Sequence, residues 1–583
     1  MRTDDGGLTW HEVSGLMLPR INRIKFSDAH NGWAIGETGN LFQTGIFYTS
    51  NGGETWSSQT AERLVGWVDA EEVQGGLATI NYDGRLGVLK SGRYESSVIL
   101  SDTGAAISQL RMSDSRAGWA VGENGTFLQT NNGGLSWSHA ETPLIEKLVK
   151  QVDLKAIAVS EKKICFAGDP GSYLFTIDRI TGKAEAFRTP VNSRINRIHF
   201  VDDQTGWAVG SLGMIMMTVN GGETWQLQRG DNRRTAIICV APNQNSIPFE
   251  LLSKYATEEH RICATVLLDP SFKQRRTAVQ ATERLGSVLT TSIASNADRR
   301  ETVRKMVRTL RSLQPNVVVC NASHSLGFSG VVGGDQRQVN PVLLLEDAIR
   351  MAGDRNAFPE QLSDLGLEAW KVDRLAILDP TGEIKIASHR LLPHAGVLVE
   401  DQVAISRALV GQPITVGKDA SYRVSHYSNR NRLAAGDLLS GLGLQNNIPT
   451  RKETNTKRGS LAMIRQVTSK KQRFEDFAKF EAKTSNDLLI WRQQIESYAM
   501  AMDRDVAGVW MMQLAERYLA VGKTELAAAS AQMLALRWPD HALTPAAMTW
   551  LAHYFASVEF GQIEYLNKKK SVSYTHLTLP TKA

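Results

Sequence analysis

Three stretches of the chain repeat one pattern of apolar and polar positions. They are 21–44 (INRIKFSDAHNGWAIGETGNLFQT), 107–130 (ISQLRMSDSRAGWAVGENGTFLQT) and 195–218 (INRIHFVDDQTGWAVGSLGMIMMT). Each opens on an alternating run, turns at a D-x-x-x-G-W corner, continues as W-A-[VI]-G, and turns again before a third apolar run. Trp33, Trp119 and Trp207 stand 86 and 88 residues apart, and weaker copies at 64–92 and 154–187 halve that spacing. A period of about 43 residues with four short strands is the signature of a β-propeller blade.

The third run of each strong copy leads into a fixed hairpin, T-x-[DN]-x-G-x-x-W. It occurs as Thr3–Trp10, Thr49–Trp56, Thr130–Trp137 and Thr218–Trp225. This is the Asp-box pattern, with Asp5 intact and Asn51, Asn132 and Asn220 in its place. An Asx side chain caps backbone N–H groups across such a turn, glycines take positive φ, and Trp10, Trp56, Trp137 and Trp225 pack between sheets. These positions are structural. Residues 1–228 thus read as an all-β propeller with about five blades and one leading hairpin. The hairpin at the start reads as an N-terminally truncated ring.

From residue 233 the period changes. Apolar strand runs at 235–242, 261–269, 316–323 and 373–380 alternate with helical runs at 249–260, 273–286, 298–313 and 340–353. Doubly apolar strands alternating with helices predict a Rossmann-like α/β domain with a parallel sheet, over 233–410. Residues 411–473 are polar, basic and poorly periodic, and read as an edge element and linker. Helical spacing returns over 474–565 and predicts helical hairpins, with Trp510, Trp538 and Trp550 in the core. Residues 571–583 (SVSYTHLTLPTKA) break that pattern and resemble translated sequencing adapter, so they are set apart from the fold. The expected fold class is multi-domain: propeller, α/β sheet and all-α hairpins.

Composition adds little. Of 583 residues, 42% are hydrophobic and 22% charged, with a formal net charge of +6, which suits soluble globular domains. No run approaches 18 apolar residues, so no transmembrane segment is expected. Cys165, Cys239, Cys263 and Cys320 lack metal-ligand spacing and are expected as buried thiols. Basic clusters at 273–276, 299–311 and 451–473 lack interleaved aromatics, so they read as solvated helix faces and linker, with no nucleic-acid partner.

The G-W-A-V-G and T-x-N-G-G-x-T-W wording resembles two propeller families, the sialidase/BNR group and the photosystem II stability/assembly-factor-like propellers. The second resemblance covers 1–228 and implies a protein-binding module working outside the cytoplasm. No F/Y-R-I-P motif supports the first; Leu18-Pro19-Arg20-Ile21 belongs to an ordinary repeat. The α/β layout and the phrase L-R-S-L-Q-P-N-V-V-V resemble the PIG-L/LmbE-like N-acetylglucosaminyl deacetylases over 233–390. That resemblance implies a zinc motif after the first strand. Here Pro242, Gln244 and Asn245 stand at its histidine and aspartates, and neutral amides neither hold zinc well nor take a proton. No catalytic residue, metal or cofactor is therefore expected. Asn243, Gln244, Asn245, Asn321, Ser323, His324 and Asp335 remain as a hydrogen-bonding ligand pocket at the carboxyl ends of the strands. Tyr518, Gly522, Ala527 and Pro539 resemble a tetratricopeptide unit. The resulting reading is a non-catalytic binding or assembly protein that recognises a protein partner or carbohydrate. The alternatives are a metal-dependent deacetylase with relocated ligands, using His324, Asp335, His389 or His394, and a sialidase-like glycosidase.

Overall fold

The computed structural model describes residues 18–444 except 39–41, 60–65, 91–92, 101–104, 143–144, 231–233, 269–271, 287, 294–298, 322–327, 333–334, 413–418 and 428–436. It also describes 472–556 except 481–484, 503 and 540, together with Thr3, Asp5, 8–11 and Ser469. The chain forms two compact units, 1–387 with 419–454, and 388–418 with 455–583.

The first unit begins with a five-bladed β-propeller. Each blade is a four-stranded antiparallel meander, and in blade 3 a short fifth strand, Val98–Ile99, adds parallel to the outer strand Ser136–His139. The innermost strands are Ile21–Phe26, Trp67–Val73, Ile107–Met112, Asp153–Val159 and Ile195–Phe200, in blades 1 to 5. All five carry a register shift at the same place, two or three residues in. A bulge there sharpens the twist that a propeller blade needs. Neighbouring blades bury apolar faces against each other. Leu110, Ala120 and Leu128 of blade 3 meet Ala78, Ile80 and Val88 of blade 2, while Val121 and Phe127 on its other face meet Ile157 and Phe166 of blade 4.

The Asp-box hairpins close this packing. In blade 3, Asn132 Oδ1 accepts from Ser136 N at 3.0 Å, Gly134 N donates to Thr130 Oγ1 at 3.1 Å, and Trp137 Nε1 donates to Gly134 O at 3.0 Å. Gly133 and Gly134 hold φ of 72° and 86°, which other residues rarely adopt. The same bonds recur around Asn51 and Asn220. Asn132 Nδ2 donates to Ser136 Oγ at 2.8 Å, whereas Asp5 accepts from Thr9 Oγ1 at 2.5 Å, so the Asn-for-Asp exchange reverses one bond and keeps the turn. Trp137 is 1% exposed and joins the core between blades 2 and 3.

After the propeller comes a seven-stranded mixed sheet. Its spatial order is Val288–Ile293, Cys263–Leu268, Ile237–Ala241, Val317–Cys320, Arg374–Leu378, Ala420–Tyr427 and Ile384–Ile386. The first five run parallel, and Ala420–Tyr427 is antiparallel to both neighbours. The central strands are buried on both faces, as apolar runs of this kind require. Cys165, Cys239, Cys263 and Cys320 are buried and unbridged. Strand Val288–Ile293 lies where the periodicity shows only the gap between two helices. Ala420–Tyr427 lies in the segment read from sequence as edge element and linker.

In the second unit, helices Ser485–Met500, Arg504–Ala520, Thr524–Arg537 and Thr544–Phe555 pack around one core with helix Val399–Leu409. Trp491 is fully buried and donates to Tyr518 Oη at 3.0 Å; Tyr518 in turn donates to Phe477 O. Trp510 is buried against Phe477 and Tyr498, and Trp538 and Trp550 pack at the edge of the core. Gly522 (φ 75°) ends helix Arg504–Ala520. Among the described residues no helix is long and apolar enough to cross a membrane.

Candidate partner-binding site on the propeller axis

The innermost strands bring charged residues from four blades to one place. Asp69 and Glu71 of blade 2 are buried, 0% and 3% exposed. Arg23 of blade 1 reaches both, at 3.4 Å and 3.0 Å. Arg111 of blade 3 also reaches both, at 3.1 Å and 3.2 Å. Lys25 pairs with Glu71. Arg197 of blade 5 adds a further positive charge; burial lowers its pKa, Asp69 opposes that, and Arg111 and Arg23 add to it. Four cations thus share two carboxylates. The four cations and Glu71 line a cavity of about 880 Å³ with His199 and with the turns after the innermost strands of blades 4 and 5, which carry Glu161, Asp202 and Asp203. At its rim, Asp202 is tied to its own turn through Gln204 N and Thr205 N, and Asp203 pairs with Lys162 at 2.8 Å.

The opposite end of the axis, where the innermost strands begin, is covered by the α/β domain. Helices Phe272–Glu283 and Arg299–Leu313 supply the contact. Arg275 pairs with Glu123 at 2.7 Å, Arg276 with Glu37 at 3.0 Å, Arg20 with Glu283 at 2.9 Å, and Arg308 with Asp153. Arg276 also lies over the Tyr82 ring, 3.7 Å from its centroid. Leu365 and Leu367 enter the core of blades 3 and 4. Arg275, Arg276 and Arg308 belong to the clusters read from sequence as solvated faces. Instead they hold the α/β domain on the propeller.

The residues expected to form a ligand pocket fall partly at one place. The strand order puts a topological switch point between Ile237–Ala241 and Val317–Cys320, the usual crevice of such sheets. Asn243 caps the turn there, accepting from Ser246 N at 3.1 Å. Gln244 accepts from Thr277 Oγ1, and Asn245 is exposed. Asn321 donates to Ser246 O at 2.5 Å and accepts from the buried Tyr422 hydroxyl at 3.0 Å. Ser323 and His324 lie outside the described residues. Asp335 begins strand Asp335–Val339, whose side chains are outside them too. Among the described residues no group of His, Cys, Asp and Glu is placed to hold a metal ion.

Comparison with known proteins finds a curated relative for part of the chain. The photosystem II stability/assembly factor HCF136 of Arabidopsis thaliana chloroplasts is 25% identical over 287 residues. The chain is thus similar in part to a photosystem II stability/assembly factor. The match spans 43% of this chain and 65% of HCF136, just under two thirds of that relative's length. Among solved structures, YCF48 bound to a D1 peptide is 15% identical, with 37% of this chain and 71% of that one covered and a TM-score of 0.29. YCF48 from Cyanidioschyzon merolae is 13% identical, with 36% and 84% covered and a TM-score of 0.27. No family profile matches the chain.

The axial cluster is legible in the sequence only as a set of repeat positions, not as a meeting of charges. Arg23, Lys25, Asp69, Glu71, Arg111 and Arg197 occupy corresponding alternate positions of the innermost strands, where uncharged residues would be equally compatible with the fold.

Proposed function

We propose that this chain is a non-catalytic assembly protein that holds a protein partner by an acidic segment at the axial mouth of its propeller. The observation that carries the reading is the cation cluster itself: Arg23, Lys25, Arg111 and Arg197, from three blades, gather around Asp69 and Glu71, while the other acids that line the cavity, Glu161, Asp202 and Asp203, lie on the turns after the innermost strands. Carboxylates of a partner would complete these pairs in a partly desolvated cavity, where charge-assisted bonds are strongest. The kinship with HCF136 supports an assembly role. The α/β domain, which we read as PIG-L/LmbE-like without its metal motif, serves as a cap on the other end.

Binding of a ten-residue peptide rich in Asp and Glu to the full chain, followed by calorimetry at low and high salt, tests this. Affinity should fall with salt and drop at least tenfold in the Arg111→Gln/Arg197→Gln double variant. Equal affinity for a neutral peptide of the same length, or an unchanged double variant, would overturn it.

A further inference from the structure

A small polar cavity of about 50 Å³ remains where the α/β domain meets the beginnings of the innermost strands. Blades 3 to 5 supply Glu123, Asp153, Asp169 and Arg194 to its wall, and the α/β domain supplies Arg275, Lys305 and Arg308. Two of these cations are matched: Arg275 pairs with Glu123 at 2.7 Å, and Arg308 with Asp153. Lys155 of blade 4 adds a fifth cation, reaching the same Glu123 at 3.6 Å. Arg194 and Lys305 make no ion pair among the described residues. Burial lowers the pKa of Arg194, Asp169 opposes that without pairing, and Arg275 adds to it. Glu301, one turn before Lys305, is bonded to Arg304 at 2.7 Å and 2.8 Å. Arg194 Nε and Ser312 Oγ are buried at the cavity and have no hydrogen-bond partner among the described residues. The blade itself does not require an arginine at 194. The residue before the innermost strand is Arg20, Gly66, Ala106 and Val152 in blades 1 to 4. Arg20 meets an acid of the α/β domain, Glu283, at 2.9 Å, whereas Arg194 at the same repeat position shares its cavity with the Ser312 hydroxyl.

We propose that this cavity is a binding site for one inorganic oxyanion of the phosphate class, held between the propeller and the α/β domain. Five cations face three carboxylates there, and an unmatched charge in a desolvated place is costly until something neutralises it. Water satisfies the free donors but not the charge. A guanidinium, an ammonium and a hydroxyl suit the oxygens of a tetrahedral anion, through charge-assisted bonds. The volume takes an ion of a few atoms and lies far below the roughly 300–1,000 Å³ of pockets for organic ligands, which excludes a nucleotide. Lys305 and Ser312 lie on helix Arg299–Leu313, and Arg194 leads into the innermost strand of blade 5. One ion therefore joins the two domains and stabilises their docked arrangement by mass action. This site is independent of the axial mouth, which lies at the other end of the propeller.

Calorimetric titration of the full chain with sodium phosphate, after dialysis into buffer free of phosphate and sulfate, tests this. Binding should saturate at about one ion per chain, and sodium chloride at the same ionic strength should give no binding. Arg194→Gln should weaken phosphate binding at least tenfold, and Ser312→Ala at least threefold; the serine variant carries the test alone if the arginine variant does not fold. Melting provides a second readout. Without phosphate, Arg194→Gln should melt no lower than the parent chain, because it removes an unmatched charge. With phosphate the parent should melt higher and the variant should not follow. Unchanged affinity in both variants, or an equal response to chloride, overturns the proposal. So does loss of phosphate binding in Arg111→Gln/Arg197→Gln with Arg194→Gln unaffected, which would place the ion at the axial mouth.

Discussion

Arg308, on the long helix of the α/β domain, is ion-paired with Asp153, the first residue of the innermost strand of blade 4. The two are 155 residues apart in sequence. Arg308 also donates to Gln151 O at 2.7 Å, so one guanidinium holds both the strand and the turn leading into it. The side chains are 12% and 23% exposed, which leaves the pair largely desolvated. Removing one partner strands the other charge. Arg308→Met should lower stability by about 2 kcal/mol, and Asp153→Asn by a similar amount. A double-mutant cycle by urea denaturation should give a coupling of about 1 kcal/mol or more. Purely additive losses would show that the pair does not act as a unit.

Acid should weaken the same region. Burial pushes the Asp153 pKa up, but Arg308 and Lys155 outweigh it and bring it down to about 2. Glu123 is likewise pushed up by burial and brought below its ordinary value by Lys155 and Arg275. Asp28, bonded to Asn31 and His30 in its turn, also falls to about 2. All three are lower in the folded chain than in the unfolded one. Their stabilisation is therefore complete above pH 4 to 5 and is lost as pH falls toward 2. The urea midpoint should drop across that window, and less so in Asp153→Asn. A flat profile between pH 5 and 2.5 would contradict the assignment.

Two tryptophans in the same motif should behave oppositely. Trp137 is 1% exposed within a two-blade core, and Trp137→Ala should cost about 3–5 kcal/mol. Trp10 is 55% exposed, and Trp10→Ala should cost under about 1 kcal/mol. Thermal unfolding of the two variants separates the cases.

Arg311 is fully buried and donates to the carbonyls of Met351, Ala352, Asp354, Ala357 and Phe358 and to Gln361 Oε1. It fastens the end of helix Pro341–Gly353 and the turn that follows. Arg311→Met leaves those carbonyls unmatched and should cost about 3 kcal/mol or more. Arg311→Lys should recover only part of this, because three donors on one atom cannot span the planar fan. Full recovery by lysine would mean that charge, not geometry, holds the turn.

The legible parts of the fold are those whose signal is local. The Asp boxes carry their own turn chemistry, so Asn132 and Trp137 announce a hairpin without knowledge of the rest. Strand Val288–Ile293 is harder to read, because Thr290, Thr291 and Ser292 interrupt it and most of it is only half-buried. The roles of Arg275, Arg276 and Arg308 depend on acids contributed by distant blades, and no helical pattern of their own reveals that. The axial cluster has the same difficulty: Arg23, Asp69 and Arg111 meet only once the blades are arranged around an axis. Asn321 is readable as a polar residue at a strand end, but its partner Tyr422 lies 101 residues later in the chain.

The box tryptophans give the ring a direction. Trp137 is encoded in blade 3 yet seals the outer wall of blade 2, and Trp225 of blade 5 does the same for blade 4. Blades 2 and 4 are thus each finished by their successor. Loss of blade 5 would unlatch blade 4, and loss of blade 3 would unlatch blade 2, so the ring comes apart by pairs.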